Sequence, residues 1–157
     1  MDLQLKDKVA LVTGAGSQIG YGRTIALTLA AEGCHIIAAD IDLDGAKQTA
    51  AQVAALGRQS LAVKVDVTKQ PDVVDMVAQA IKKFGKIDIL VNNAGASSKE
   101  QPFMQMTEED WAFDIGVNLF GQIRVARAVL PHMLERKYGR IINTSGGQGV
   151  PGISIYG

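Results

Sequence analysis

Short apolar runs alternate with longer amphipathic segments along the whole 157-residue chain. Val9-Ala10-Leu11-Val12-Thr13 reads as a buried strand, as do Ile36–Ala39, Leu61–Val65, Ile87–Val91 and Arg140–Thr144. The runs are continuously apolar instead of alternating, as expected of strands covered on both faces. Each of the first four is followed by a segment with helical periodicity. The clearest has Thr68 as candidate N-cap, Pro71 in its first turn and Gly85 at its close. Val73, Val74, Val77, Ala80, Ile81 and Phe84 recur there at spacings of three and four, which predicts one buried stripe. A second helix opens at Thr107, with Asp110 three residues on in the place of the usual capping-box Glu or Gln. A third runs from about Asn118 toward Lys137, with Leu119, Ile123, Ala126, Leu130 and Met133 on one face. Pro131 interrupts it, at a cost of roughly 3 kcal/mol unless a kink absorbs it.

Strands alternating with helices predict an α/β fold: a doubly wound parallel sheet in three α/β/α layers with right-handed crossovers. Residues 1–157 read as one domain, with no internal repeat or linker. The loop from Ala94 to Met106 is the one long connection, and such loops are often functional.

Composition removes several classes of function. Sixteen basic residues balance sixteen acidic ones, so no net field draws the chain to nucleic acid or an anionic membrane. The longest apolar runs are too short to span a bilayer, and Met1 to Lys8 carries charges where a secretory signal is apolar. Cys34 is the single cysteine, so an internal disulfide is impossible and a reducing, cytoplasmic setting is expected.

The turn after the first strand runs Thr13-Gly14-Ala15-Gly16-Ser17-Gln18-Ile19-Gly20-Tyr21-Gly22-Arg23. Glycines there let the backbone turn tightly and approach a pyrophosphate, whose charge meets the free N–H groups of the following helix. Gly14, Ser17, Gln18, Ile19, Gly20 and Gly22 are the candidate contacts. A glycine-rich turn without a ligand is the plain alternative. Asp40 argues against it: this carboxylate ends the second strand, twenty residues after Gly20, where it can accept hydrogen bonds from ribose hydroxyls. The same charge would repel a 2′-phosphate, and neither Ile41 nor the loop before Gly22 supplies a Lys or Arg to offset it. NAD is therefore expected over NADP. An Asp that merely caps the next helix is the other reading, although Asp42 is better placed for that.

Thr13-Gly14, Asp66-Val67, Asn92-Asn93-Ala94-Gly95, Asn118 and Tyr156 occur in the order and at the spacing of the short-chain dehydrogenase/reductase family, which the chain resembles along essentially its whole length. The resemblance implies a Rossmann-like domain and an NAD(P)-dependent oxidoreductase acting on a secondary alcohol or ketone. A 3-oxoacyl compound or a cyclic ketone is a candidate substrate. Asp66 and Val67 would border the adenine, and Asn93, Ala94 and Gly95 would pass beneath the cofactor. Asn118 would hold a water, Ser145 would polarise the substrate oxygen, and Tyr156 would be the general acid/base. Such a tyrosine needs its pKa of about 10 brought toward the operating pH. No metal is expected. A homodimer or homotetramer through the long helix is.

Three departures qualify the likeness. Five residues, not three, separate Thr13-Gly14 from Gly20-Tyr21-Gly22. The extra pair is either an insertion before the last two glycines or a register with Gln18 at the middle glycine and Gly20 as the last. The family often has two serines after the fifth strand, the second being active; here the second position falls on Gly146, so Ser145 is the candidate beside a repurposed loop. Finally, Gly157 ends the sequence before the lysine expected four residues after Tyr156 and before the family's last strands and helices. The chain is therefore expected to be a fragment, inactive by itself. A nucleotide-binding sensor or non-catalytic partner subunit of the same fold is the alternative function.

Overall fold

The computed structural model describes residues 2–99 and 101–146. Five parallel strands form its sheet: β1 (Val9–Thr13), β2 (His35–Asp40), β3 (Ser60–Lys64), β4 (Ile89–Asn92) and β5 (Arg140–Asn143), in the order β3-β2-β1-β4-β5. Helices α1 (Tyr21–Ala31), α2 (Leu43–Ala55) and α3 (Gln70–Phe84) follow the first three strands. After β4 come a single 3-10 turn (Phe103–Gln105), α4 (Glu108–Ile115), a π-helical turn (Gly116–Gly121) and α5 (Gln122–Glu135). The doubly wound α/β architecture is as the alternation predicts, with strand limits within about two residues of those read from the sequence.

The apolar strands are covered on both sides. Leu11, Ile37, Val63 and Leu90 point to one face, where Val73, Met76 and Val77 of α3 and Val125, Val129 and Met133 of α5 close over them. Ala10, Val12, Ile36, Ala38 and Val91 point to the other, against Ala26 and Ala30 of α1 and Val53 of α2. The α1–α2 side is built from small residues, which lets those helices lie close to the strands that carry the glycine-rich turn. Cys34 is buried in this layer, and burial pushes its thiol up to about 11.

Local sequence rules hold in detail at some helix ends and fail at others. Thr107 and Asp110 form a complete capping box: Thr107 Oγ1 accepts the Asp110 N–H at 3.3 Å, and Asp110 Oδ2 accepts the Thr107 N–H at 3.0 Å. The N-cap of α3 is Lys69, not Thr68, because the Thr68 hydroxyl donates to Asp66 Oδ1 at 2.6 Å. The α3 stripe is Val73, Met76, Val77 and Ala80, while Val74 faces solvent.

The largest correction concerns the last helix. Asn118 does not open it but sits inside the π-helical turn that joins α4 to α5 in one continuous run. The buried face is Val125, Val129 and Met133; Leu119, Ile123 and Leu130 are exposed. Two apolar stripes share this helix, and the sheet selects the one with the β-branched valines. Pro131 lies within α5, which nevertheless runs on to Glu135. No helix among the described residues is long and apolar enough to cross a membrane.

At the end of the sheet opposite the glycine-rich turn, one carboxylate ties three elements together. Asp88, fully buried, accepts the Val9 N–H at 2.9 Å and pairs with Arg136 at 2.7 Å and Lys86 at 3.0 Å. Burial opposes the charge, but Arg136, the Val9 amide and Lys86 outweigh it and hold the carboxyl below the usual aspartate range. A depressed folded-state pKa contributes stability that is present above the unfolded value of about 3.9 and lost as pH falls through the folded one. Asp88→Asn is thus expected to cost about 2–4 kcal/mol at neutral pH and to remove part of the acid-limb loss. Urea unfolding from pH 7 down to pH 3 measures both; an unchanged acid limb would contradict this role for Asp88.

Candidate functional site

The strand order reverses between β1 and β4: the chain leaves β1 for α1 and β2 on one side and returns through β4 on the other. Loops diverge above such a point, and in open α/β sheets the crevice at the carboxyl ends of the strands takes ligands. Here the two strand ends are stapled by side chains. The Thr13 hydroxyl accepts the N–H groups of Asn93 and Ala94, both at 3.0 Å. In return Asn93 Nδ2 donates to the carbonyls of Thr13 at 3.1 Å and Gly14 at 3.3 Å.

Close backbone approach then dictates glycine. Gly14 has φ of 69°, and a Cβ there would lie 2.8 Å from Ala94 Cα. Gly20 is the N-cap of α1 and offers no side chain, so the first-turn N–H groups receive no capping oxygen. Gly22 lies where α1 crosses β1: a Cβ would stand 2.1 Å from the Gly14 carbonyl oxygen and 2.6 Å from Asn93 Nδ2. Between these glycines Ser17 and Ile19 are exposed, while the Gln18 side chain turns away toward α2. The close-packing position of the turn is therefore Gly22.

Asp40 stands at the end of β2 beside this turn. Its Oδ2 accepts the Gly16 N–H at 2.7 Å and its Oδ1 the Asp42 N–H at 2.9 Å. The cap of α2 is Asp42, which accepts the Asp44 N–H at 3.1 Å. A pocket opens over the strand ends, lined by Gly14, Asp40, Asp66, Val67, Ala94 and Gly95 among others, with no Lys or Arg in its lining among the described residues. Asp66 accepts from the Thr68 hydroxyl at 2.6 Å and the Thr68 amide at 3.0 Å. Burial works against its charge, yet Thr68 and Lys69 more than offset that and keep the carboxyl below the usual aspartate range.

A wider cleft adjoins this pocket, and Asn93, Gly95, Asn118, Gln122 and Ser145 border it. The Asn118 side chain is committed to the loop after β4: Nδ2 donates to the carbonyls of Ala96 at 2.6 Å and Asp114 at 2.9 Å, and Oδ1 accepts the Ala96 N–H at 3.2 Å. The π-helical turn supplies the extra residue that swings Asn118 into this clamp. Ser145 is exposed beyond β5, on a segment held by a network the sequence did not reveal. Asn92, buried in β4, donates to Asn143 Oδ1 at 2.9 Å, and its carbonyl accepts both the amide and the hydroxyl of Thr144. Gln122 Nε2 then takes the Thr144 carbonyl at 2.9 Å. An asparagine ending an apolar strand is the one signal that could have pointed to it. Asn118 and Ser145 of the expected catalytic trio border the cleft; Tyr156, the expected acid/base, lies outside the described residues.

Residues 8–157 match the short chain dehydrogenase family. Among characterised relatives, the dehydrogenase subunit BbsD of Thauera aromatica, named for a hydroxy(phenyl)methylsuccinyl-CoA substrate, is 39% identical over 88% of the chain and 55% of its own length. The 3-oxoacyl-acyl-carrier-protein reductase of Thermotoga maritima is 35% identical over 96% of the chain and 60% of its own length. The crystal structure of an NAD+-bound xylitol dehydrogenase superposes with a TM-score of 0.89 at 36% identity, covering 98% of this chain and 60% of that one. The chain thus spans between half and two thirds of the proteins it is similar to.

Two substitutions test the staple and the crossing. Thr13→Val keeps the side-chain shape but leaves the Asn93 and Ala94 amides without an acceptor, and should cost about 2–4 kcal/mol. Gly22→Ala drives a methyl into the Gly14 carbonyl and should cost about 1–3 kcal/mol by displacing α1. Denaturant unfolding reads each, and a neutral Thr13→Val would show that the hydroxyl does not hold the strand ends together.

Proposed function

The chain belongs to the short-chain dehydrogenase family, and we propose that it binds NAD(H) and serves hydride transfer between that dinucleotide and a secondary alcohol or ketone. The observation that carries the cofactor reading is the Asp40 carboxylate at the rim of a pocket whose lining, among the described residues, contains no Lys or Arg. Arg23, the basic residue nearest in sequence to the turn, is turned to Gln52 of α2 at 2.7 Å and so does not offset that charge. A ribose with both hydroxyls free can donate to Asp40; a 2′-phosphate would meet an uncompensated negative charge.

The remaining residues fit the same reading. The uncapped N-terminus of α1 offers N–H groups and a positive dipole end to a pyrophosphate. Gly14 and Gly22 keep side chains off the turn, Asp66 and Val67 border the adenine end, and Asn93, Ala94 and Gly95 form the floor toward the wider cleft. When bound, the dinucleotide supplies the hydride donor or acceptor. In that cleft the Ser145 hydroxyl would hydrogen-bond the substrate oxygen, and the Tyr156 phenol would give or take its proton. Asn118 shapes this end through its clamp on Ala96. The relatives that act on acyl-CoA and acyl-carrier-protein substrates support an oxo or hydroxy compound as substrate. The exposed stripe of Leu119, Ile123, Leu130 and Leu134 favours a homo-oligomer built through α5.

Titration of the whole protein with NADH and NADPH tests the cofactor reading. NADH should bind more tightly, Asp40→Ala with Ile41→Arg should invert the order, and a native preference for NADPH would overturn it. Tyr156→Phe should lower dehydrogenase turnover by at least about a hundredfold while leaving NADH affinity within a few-fold. A protein that binds NADH but oxidises no alcohol and reduces no ketone would be a nucleotide sensor instead.

A further inference from the structure

In the glycine-rich turn Gln18 joins a polar chain that runs from α1 through α2 to Asp40. Arg23 Nε donates to Gln52 Oε1 at 2.7 Å, and Gln52 Nε2 donates to Gln18 Oε1 at 3.1 Å. Gln18 Nε2 in turn faces three acceptors: the Gly16 carbonyl at 2.8 Å, the Gly45 carbonyl at 3.1 Å and Thr49 Oγ1 at 3.3 Å. Buried Thr49 donates its hydroxyl to the Ala15 carbonyl at 2.7 Å. The peptide groups of Ala15 and Gly16 are thereby held through their oxygens from the α2 side.

The Gly16 residue is gripped from its other end by Asp40, whose Oδ2 accepts the Gly16 N–H at 2.7 Å. Its surroundings leave no slack. A Cβ on Gly16 would stand 2.7 Å from Asp40 Cγ, and one on Gly45 would stand 2.3 Å from the Gly16 carbonyl oxygen. Gly16 thus packs directly between the Asp40 carboxylate and the first turn of α2. The Gln18 amide fits this place because it must donate to carbonyls on one side and accept from Gln52 on the other. A carboxylate cannot donate, and an aliphatic chain can do neither.

We propose that Gln18 is a positioning residue for cofactor discrimination: by holding the Gly16 carbonyl, while Thr49 holds the Ala15 carbonyl of the peptide whose N–H Asp40 accepts, it fixes the backbone at Gly16 and so sets the Asp40 carboxylate in the direction that receives the ribose hydroxyls. The proposal rests on the NAD(H) reading above and adds to it a residue that touches neither ribose nor nicotinamide. Loss of the Gln18 amide frees the Gly16 peptide, lets Asp40 rotate, and weakens the dinucleotide that depends on Asp40 more than the one it repels.

The test is a double-mutant cycle on the whole protein, read by NADH and NADPH fluorescence titration. Gln18→Met should weaken NADH roughly three- to tenfold and change NADPH less, narrowing the ratio between them. On an Asp40→Ala background the same substitution should cost NADH nothing further. Equal losses with and without Asp40 would overturn the proposal, as would an equal weakening of both dinucleotides. Gln18→Leu, which removes the same amide with a shorter side chain and leaves the Arg23–Gln52 contact in place, should reproduce the narrowing and serves if Gln18→Met does not fold. Amide exchange without any ligand separates this idea from the cofactor reading. In Gln18→Met the Gly16 N–H should exchange faster while the amides of α1 keep their protection, and unchanged Gly16 exchange overturns the coupling. Failure of the unsubstituted protein to bind either dinucleotide would instead overturn the cofactor reading and leave the exchange result standing.

Discussion

Everything at the upper end of the sheet hangs on the junction between β1 and β4. A parallel sheet whose strand order reverses leaves two loops diverging from adjacent strand ends, and nothing in the backbone ladder holds those ends once the strands stop. The Thr13 hydroxyl does so, by taking two consecutive amides of the Asn93-Ala94 segment, and Asn93 answers by donating to the first two carbonyls of the opposite loop. With the two loops locked, α1 can start close against β1 only if Gly14 and Gly22 carry no side chains. The uncapped start of α1, the pocket over the strand ends and the floor of the wider cleft all take their positions from this junction.

Polar groups concentrate at the two ends of the sheet, and the body between them is apolar on both faces. That division follows from energetics: buried amides, hydroxyls and carboxylates are tolerable only where partners can be supplied, and strand ends offer free backbone groups. At the lower end one buried carboxylate, Asp88, serves β1 and the close of α5. At the upper end neutral groups predominate: Asn92, Asn143, Gln122 and Thr144 bind β4 to β5 and to the start of α5. Ser145 is delivered to the cleft by these contacts, which have no counterpart in local sequence pattern.

The run from α4 to α5 shows how geometry departs from periodicity. A regular helix would keep the Asp114–Asn118 and Asn118–Gln122 faces in step, but the π-helical turn inserts a residue and turns Asn118 toward the loop after β4. The same run carries two apolar stripes. One, with Val125 and Val129, packs under the sheet; the other, with Leu119, Ile123 and Leu130, faces outward.

The sequence by itself determined the α/β class, the five strands, the capping box at Thr107 and the placing of Gly14, Asp40, Asp66 and Asn93 at or just after the ends of successive strands. The strands and the cap were legible because each depends on near neighbours, strand burial on a continuous apolar run and the cap on residues three apart, while Asp66 and Asn93 were legible through the motifs the chain shares with its family. Only the tertiary structure decided which stripe of the last helix is buried and that Gly22 is the point where α1 crosses β1. It alone showed that Gln18 reaches α2, that Thr68 serves Asp66 instead of capping α3, and that Asn92 holds Thr144. Each of these depends on a partner tens of residues away or on competition between two nearby acceptors. No periodicity records which partner wins, because hydrogen bonds and packing are settled by where the whole chain places its neighbours.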